Sequence, residues 1–404
     1  MPADDRRTTW ELSRLSRRQR RTVPFQNRPR KAVFLLPASL LACWALAPPL
    51  QAAEDANSHR PAEFLRLCDL AVAELDKPVL PFTEAFRHKP DPTAHRTPFF
   101  EDAYGVRALC AAYDMTGRRQ YLDACRRWAG RIADFQDKMI PQGAYYLNYY
   151  REPGKKTGDW FVADSGSVGM GVLAVAVRCD DTAEKQRYLD SVRAFARLVM
   201  KNYVGKGGGI NDGLWSSYAG PYWCSSATFG AMAFLLYDAT GDKRYLEVAL
   251  GATDWLASHT FAKPAPPAFD RAYSGSVFYI LEAYAAGWPH IKQSPPRRKA
   301  VQVQIAEALC WLEANQKGRG AKSNLDYFGN DTYMSGMPYM MYVLARQEPQ
   351  YQGLRAAADQ EVRYVAGELA KRPPLCCLTT WEAATWLMMS YAEQLRPGAL
   401  FRAK

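Results

Sequence analysis

Six times along this 404-residue chain, a short stretch of acids and aromatics opens directly into an apolar segment of helical spacing. The openings are Pro98-Phe99-Phe100-Glu101-Asp102, Phe161-Val162-Ala163-Asp164-Ser165, Tyr222-Trp223-Cys224-Ser225, Phe269-Asp270-Arg271-Ala272-Tyr273, Asn330-Asp331-Thr332-Tyr333 and Thr379-Thr380-Trp381-Glu382. They recur at intervals of about 47 to 63 residues, with a more polar helix-like stretch between each pair. Each interval has room for two antiparallel helices, so the chain is expected to be all-α, with twelve helices in six hairpins. Six such hairpins predict a closed double ring. The inner helices then point the same ends at one mouth, and the acids and aromatics converge there.

The outer-helix candidates are Pro61–Lys77, Arg119–Lys138, Ala183–Asn202, Lys243–His259, Arg298–Gln316 and Leu354–Lys371. Each sets apolar residues at helical spacing against a face of Arg, Lys, Asp and Glu. The inner candidates are Glu101–Met115, Ser165–Arg178, Ser225–Ala239, Tyr273–Ala286, Thr332–Arg346 and Thr380–Leu395. These are apolar nearly all round and rich in Ala and Gly, as suits helices covered on two sides. Inner-to-outer turns are short, and short turns imply antiparallel neighbours. Tyr113-Asp114-Met115-Thr116-Gly117-Arg118-Arg119-Gln120-Tyr121-Leu122 is one, and Tyr237-Asp238-Ala239-Thr240-Gly241-Asp242-Lys243-Arg244-Tyr245-Leu246 is its near copy. In both, Gly ends one helix and Tyr-Leu begins the next apolar face. The returning connections, 78–98, 139–163, 203–223, 260–270, 317–330 and 372–378, are longer and gather on one face, where function concentrates. Strand-like runs are scarce; Ala144–Tyr150 fits a small hairpin arm.

This pattern resembles the six-hairpin (α/α)6 glycosidase superfamily over about residues 61–395, most tellingly in the Leu-Tyr-Asp-Ala-Thr-Gly-Asp-Lys-Arg-Tyr-Leu phrase at 236–246 and its looser form at 112–122. The resemblance implies an (α/α)6 barrel catalytic domain over 54–404. Gly158-Asp159-Trp160-Phe161-Val162-Ala163-Asp164-Ser165-Gly166-Ser167 is similar to unsaturated glucuronyl and rhamnogalacturonyl hydrolases, which also have an Asp at the start of the second inner helix. Those families place a further essential Asp at the third inner helix. This chain has Trp223-Cys224-Ser225-Ser226 there, without an acid, so Asp212 in the preceding loop, or Asp270, would have to substitute. Some β-arabinofuranosidases of similar fold hold zinc with a Cys-Cys pair such as Cys376-Cys377; the Glu they need before another Cys is Tyr222 here, which argues against a metal site.

Acids at the inner-helix starts are therefore the candidate machinery: Glu101, Asp102, Asp164, Asp270, Asp331 and Glu382. Hydrolysis of a glycoside needs two carboxyl groups across the bond, one protonated and one ionised. Any single one of these acids can equally be an ordinary N-cap; convergence of six helix starts on one cavity lifts the set. Asp164 is the first choice for acid/base, with Asp102 or Asp270 as partner. Flat aromatics match the apolar faces of sugar rings, so Trp160, Trp215, Tyr218, Trp223, Tyr273 and Trp381, with Arg271 and Asp331, are the candidate substrate-binding residues. Cations in the mouth loops (His88, His95, Arg96, Arg151, Lys155, Lys156, Lys206 and Arg271) suggest a uronate-containing poly- or oligosaccharide. The rival readings are a lyase or epimerase on the same scaffold, using Tyr or His with Arg271, and a glycan-binding envelope protein without turnover. Gly207-Gly208-Gly209 follows an outer helix without a preceding strand, which favours a flap over a phosphate loop. No cofactor is expected.

Residues 1–53 read as an export signal segment. A long basic stretch precedes the apolar run Ala32–Ala47, which is short for a transmembrane helix, and Leu50-Gln51-Ala52 offers a cleavage site. Leu40-Leu41-Ala42-Cys43 is a weak lipoprotein-like box that would tether the chain to a membrane. A periplasmic or secreted location follows. The leader holds ten Lys/Arg and three Asp/Glu, so +7 of the formal net charge of +11 belongs to it and +4 to the rest. That balance gives no reason to expect a nucleic-acid partner. Eight cysteines follow the apolar run without a CxxC pair, which excludes a disulfide scaffold and leaves room for one or two bridges.

Overall fold

The structure, a computed structural model, describes residues 60–78, 99–145, 160–212, 221–258, 267–316, 337–371 and 378–401, the side chains at 99, 267–276, 309–316, 337 and 378–379 excepted. The leader, most of the Ala144–Tyr150 arm and Cys376-Cys377 lie outside these residues. Twelve α-helices run among them: α1 (Arg60–Leu75), α2 (Phe99–Thr116), α3 (Arg119–Gln136), α4 (Val162–Ala176), α5 (Thr182–Asn202), α6 (Trp223–Thr240), α7 (Lys243–Ala257), α8 (Pro267–Ile291), α9 (Pro295–Gln316), α10 (Met337–Gln347), α11 (Leu354–Ala370) and α12 (Leu378–Leu395). The predicted helices are thus present in the predicted order. The fourth inner helix, α8, starts earlier than the Tyr273 expected from the apolar pattern.

The even-numbered helices form the inner ring. α2 packs on α4, α4 on α6, α6 on α8, α8 on α10, α10 on α12, and α12 returns to α2. The odd-numbered helices lie outside, each against its hairpin partner, with α3 also touching α1 and α5. Helix composition follows from this placement. α4 buries Val162, Ala163 and every residue from Ser165 to Ala176, whereas α3 buries one stripe, including Tyr121, Cys125, Trp128 and Ile132. Small residues let the inner helices touch. A Cβ on Gly166 of α4 would stand 2.8 Å from the backbone carbonyl carbon of Thr228 on α6.

The turn motif is built as its sequence dictates. Gly241 closes α6 at φ 74° and returns its N–H to the Tyr237 carbonyl at 2.7 Å. Gly117 does the same for α2 at φ 68°, bonding to Tyr113 at 2.8 Å. Only glycine takes this left-handed conformation without steric cost. Asp242 then caps α7 through the Arg244 N–H at 3.1 Å, while Arg118, its counterpart before α3, makes no side-chain cap. Among the described residues, Cys68, Cys110, Cys125 and Cys179 are free and buried, packed as small hydrophobes, and Cys224 is buried with them. No helix of the described residues is long and apolar enough to cross a membrane.

Candidate active site

The first turns of α2 and α4 carry Glu101, Asp102 and Asp164. Glu382 lies just inside α12, and Asp212 ends the described part of the α5–α6 connection. These five carboxyl groups act on one another: Glu101 feels Glu382, Asp102 and Asp164, and Asp164 feels Asp212. The unpaired N–H groups of a helix start favour a negative charge nearby. Removal from water and mutual repulsion oppose it.

Each acid is held differently. Asp102 is fully buried and receives two indole N–H bonds, from Trp128 on α3 at 3.2 Å and Trp381 on α12 at 3.1 Å. Asp212 receives the Ser225 hydroxyl from the first turn of α6 and the backbone N–H of Ala163. Its loop is strapped into place: Tyr222 N–H bonds to the Ile210 carbonyl at 2.8 Å, and the Ser226 hydroxyl accepts from Ile210 N–H at 2.9 Å. Asp164 alone of the five keeps a partly exposed side chain. Glu101 and Glu382 are fully buried, and none of their four carboxyl oxygens has a hydrogen-bond partner.

These surroundings separate the acids. Burial, reinforced by the charge of Asp212, pushes Asp164 up to about 8. Burial raises Asp212 only to about 6, because Ser225 and Ala163 donate to its ionised form. Burial pushes Glu382 up to about 8. Burial, then the charges of Glu382, Asp102 and Asp164, carry Glu101 well above the carboxylate range. A protonated Asp164 beside an ionised Asp212 is the arrangement that acid–base cleavage of an acetal requires.

Deeper in the ring, Arg107 of α2 meets Glu282 of α8 at 2.5 Å, and the Tyr339 hydroxyl of α10 donates to the same carboxylate. α2 and α8 are opposite members of the inner ring, so this pair bridges the interior. At the other ends of the inner helices a cavity of about 510 Å³ is lined by Tyr113, Asp114, Arg178 and Lys185. Its buried acid, Asp114, pairs with Arg178 at 2.7 Å.

The sequence profile of glycosyl hydrolase family 76 matches residues 70–276, half of the chain. The chain belongs to glycosyl hydrolase family 76. It is a glycoside hydrolase. Solved structures of the family share the fold at low identity. A family 76 glycoside hydrolase from a bovine Bacteroides thetaiotaomicron strain is 15% identical, with a TM-score of 0.54, over 81% of this chain and 77% of that one. An α-1,6-mannanase of Salegentibacter sp., held with α-1,6-mannotetrose, is 14% identical, with a TM-score of 0.53, over 81% and 98%. A family 76 α-mannanase of Bacteroides thetaiotaomicron is 12% identical, with a TM-score of 0.55, over 82% and 96%. No curated protein matches the sequence.

In this family 76 chain, Asp102 and Asp164 both act on Glu101. Asp270, Arg271 and Tyr273 lie on α8, but their side chains are outside the described set, as are Trp215, Tyr218 and Asp331 altogether. Trp381 is buried and holds Asp102. Trp160 is buried and packs edge-on against Tyr203, with centroids 5.3 Å apart. Trp223 is half-buried against Trp255 at 5.6 Å. Glu101 and Glu382, named among the acids without a role, join the cluster. Asp212 is the residue a pattern of helix starts underrates, because it sits in a connection. Its signal is the acid-free Ser225-Ser226 opening, whose first hydroxyl binds it.

Proposed function

We propose that this family 76 hydrolase cleaves a neutral α-mannan, with Asp164 as proton donor and Asp212 as the ionised carboxylate. The carrying observation is the difference between these two facing acids: one partly exposed and pushed up to about 8, the other held ionised by two donors. Solved relatives include α-1,6-mannanases, and a Salegentibacter enzyme with two adjacent aspartates replaced is inactive. Here the residue before Asp164 is Ala163, whose N–H reaches Asp212, so the second carboxylate comes from the loop. The adjacent acids Glu101 and Asp102 are both fully buried, Asp102 being engaged by two indoles, whereas Asp164 keeps a partly exposed side chain.

A neutral glycan suits this mouth better than a uronate. The carboxyl groups already raise one another, and a substrate carboxylate would add to that repulsion. Of the cations that suggested a uronate, Lys206 is exposed on the surface, and the others fall outside the described side chains. The basic leader and its apolar run further support export of a catalytic domain spanning 54–404, by a periplasmic or secreted route.

The test is reducing-end release from α-1,6-mannan and from a polyuronate by the purified protein and its Asp164→Asn and Asp212→Asn variants. Each variant should lose about 100-fold or more on mannan, the range for removal of one acid–base group. Full activity in Asp212→Asn, or turnover of the polyuronate alone, would refute the assignment.

A further inference from the structure

The Gly207-Gly208-Gly209 run, expected as a flap, is docked against α7, and the reaction described above gives it no part. Gly205-Lys206-Gly207-Gly208-Gly209 turns the chain back after α5. Gly205 N–H bonds to the Gly209 carbonyl at 2.7 Å, and Asn211 N–H returns to the Tyr203 carbonyl at 2.8 Å. Gly208 and Gly209 lay bare backbone on α7. A Cβ on Gly208, at φ 92°, would stand 2.5 Å from the Gly251 carbonyl oxygen. One on Gly209 would stand 2.5 Å from Cδ2 of the Trp255 indole and 2.6 Å from Pro221, which precedes α6. Only glycine brings the main chain this close to the ring. Trp255 is braced in turn by Trp223, the first residue of α6, with ring centroids 5.6 Å apart.

The turn leads straight to the candidate carboxylate. Gly209 is buried, and the next residue, Ile210, is tied to the start of α6 through Tyr222 N–H and the Ser226 hydroxyl. Asp212 lies two residues further on, where Ser225 and Ala163 donate to it. A residue spans at most about 3.3–3.6 Å, so three residues leave little slack between the indole and the carboxyl. The depth at which Gly209 meets Trp255 is passed on to Asp212.

We propose that Trp255 and the glycine turn seated on it are positioning elements of the acid pair: the indole sets the depth of the turn, and the turn sets where Asp212 stands relative to Asp164. This rests on the reading of Asp212 as the ionised carboxylate. Both elements act through Asp212, and neither meets the substrate.

Three variants test this. Gly209→Ala drives a methyl into the indole, Trp255→Ala removes the seat, and Trp255→Phe keeps a flat ring there. Rates are corrected for the folded fraction by urea unfolding. On α-1,6-mannan, kcat should fall about 10- to 100-fold in Gly209→Ala and Trp255→Ala, as for a reacting group misplaced by about an ångström. KM should stay within about 2-fold of the wild type, because no ground-state contact is lost. The acid limb of the pH–rate profile should move up by about half a pH unit or more as the Ser225 and Ala163 donors are drawn away from Asp212. The Asp212 carboxyl, followed by carbon-13 NMR without substrate, should titrate higher by the same amount. Trp255→Phe should recover most of each effect. An Asp212 titration unmoved in Gly209→Ala and Trp255→Ala overturns the proposal, whatever stability is lost. So does a raised KM at unchanged kcat in Trp255→Ala, which would make the indole a sugar platform. If the wild type proves inactive on mannan, or Asp212→Asn fully active, the assignment of Asp212 falls alone, because the NMR titration still decides whether Trp255 and the turn hold that carboxyl. Should Gly209→Ala not fold, the two Trp255 variants carry the same comparison.

Discussion

Replacing Arg107 by Met should be among the most damaging single changes in the core, and a second change should repair it. Arg107 and Glu282 are 1% and 0% exposed and pair at 2.5 Å across the ring. Only part of their hydrogen-bonding capacity is used: Arg107 Nε and Nη2 and Glu282 Oε2 have no partner. A buried ion pair must recover two desolvation penalties, and one with unused donors and acceptors recovers little beyond them. Its presence therefore adds little net stability, while its disruption leaves an isolated charge. With Arg107 gone, Glu282 keeps only the Tyr339 hydroxyl, and the expected loss is about 3–5 kcal/mol. Arg107→Met with Glu282→Gln removes both charges and leaves Tyr339 an amide oxygen to donate to. It should come back to within about 1 kcal/mol of the wild type. Urea unfolding at neutral pH measures both, and the pair is too buried for added salt to screen. A single variant costing under about 1 kcal/mol, or a double variant as unstable as the single, would refute the account of a marginal, charge-balanced bridge.

The facing aspartates predict a bell-shaped pH–rate profile. Asp212 must be ionised, which sets the acid limb at about 6, and Asp164 must be protonated, which sets the alkaline limb at about 8. Both folded values stand above the unfolded ones, so the stability these groups lend is complete below about pH 4 and is lost as pH rises through about 6 and then about 8. Kinetics and melting curves across pH 4–9 check the two statements together. Gly166→Ala forces a methyl to within 2.8 Å of the Thr228 backbone, which cannot swing aside, and should cost about 1–3 kcal/mol in urea unfolding. Gly241→Ala meets no neighbour but needs φ 74°, and should cost about 1–2 kcal/mol. Gly353→Ala, equally open and in ordinary helical conformation, should gain about 0.4–1 kcal/mol.

The ring was legible because its signals are periodic and local. An outer helix such as α3 announces its one buried stripe, and the Thr116-Gly117 and Thr240-Gly241 turns announce both the helix end and the antiparallel return. The helix starts of α2, α4 and α12 likewise showed where acids would gather. The division of labour among those acids was not legible, since it depends on what lies beside each carboxyl in space. Asp102 and Asp164 both open an inner helix in sequence. Trp128 and Trp381, which lie 26 and 279 residues from Asp102, take up one, while the other keeps an edge towards solvent. The same holds for Trp160, whose place in a polar sequence gave no hint of its packing against Tyr203.

The position of Asp212 shows how a loop acid can be as fixed as one on a helix. A lone carboxylate in a long connection would lose conformational entropy whenever it faced a substrate. Here Ile210, Asn211 and Asp212 are pinned on three sides: to Ser226 and Tyr222 at the start of α6, to Tyr203 at the end of α5, and to Val162 and Ala163 at the start of α4. Those anchors are backbone groups and small hydroxyls at helix ends, which the closed ring already holds in place. The precision of the acid pair therefore derives from the closure of the ring. A change that loosens the α4–α6 contact, as Gly166→Ala should, is expected to lower turnover more than its stability cost alone would suggest, because it moves Asp164 and the anchors of Asp212 apart together.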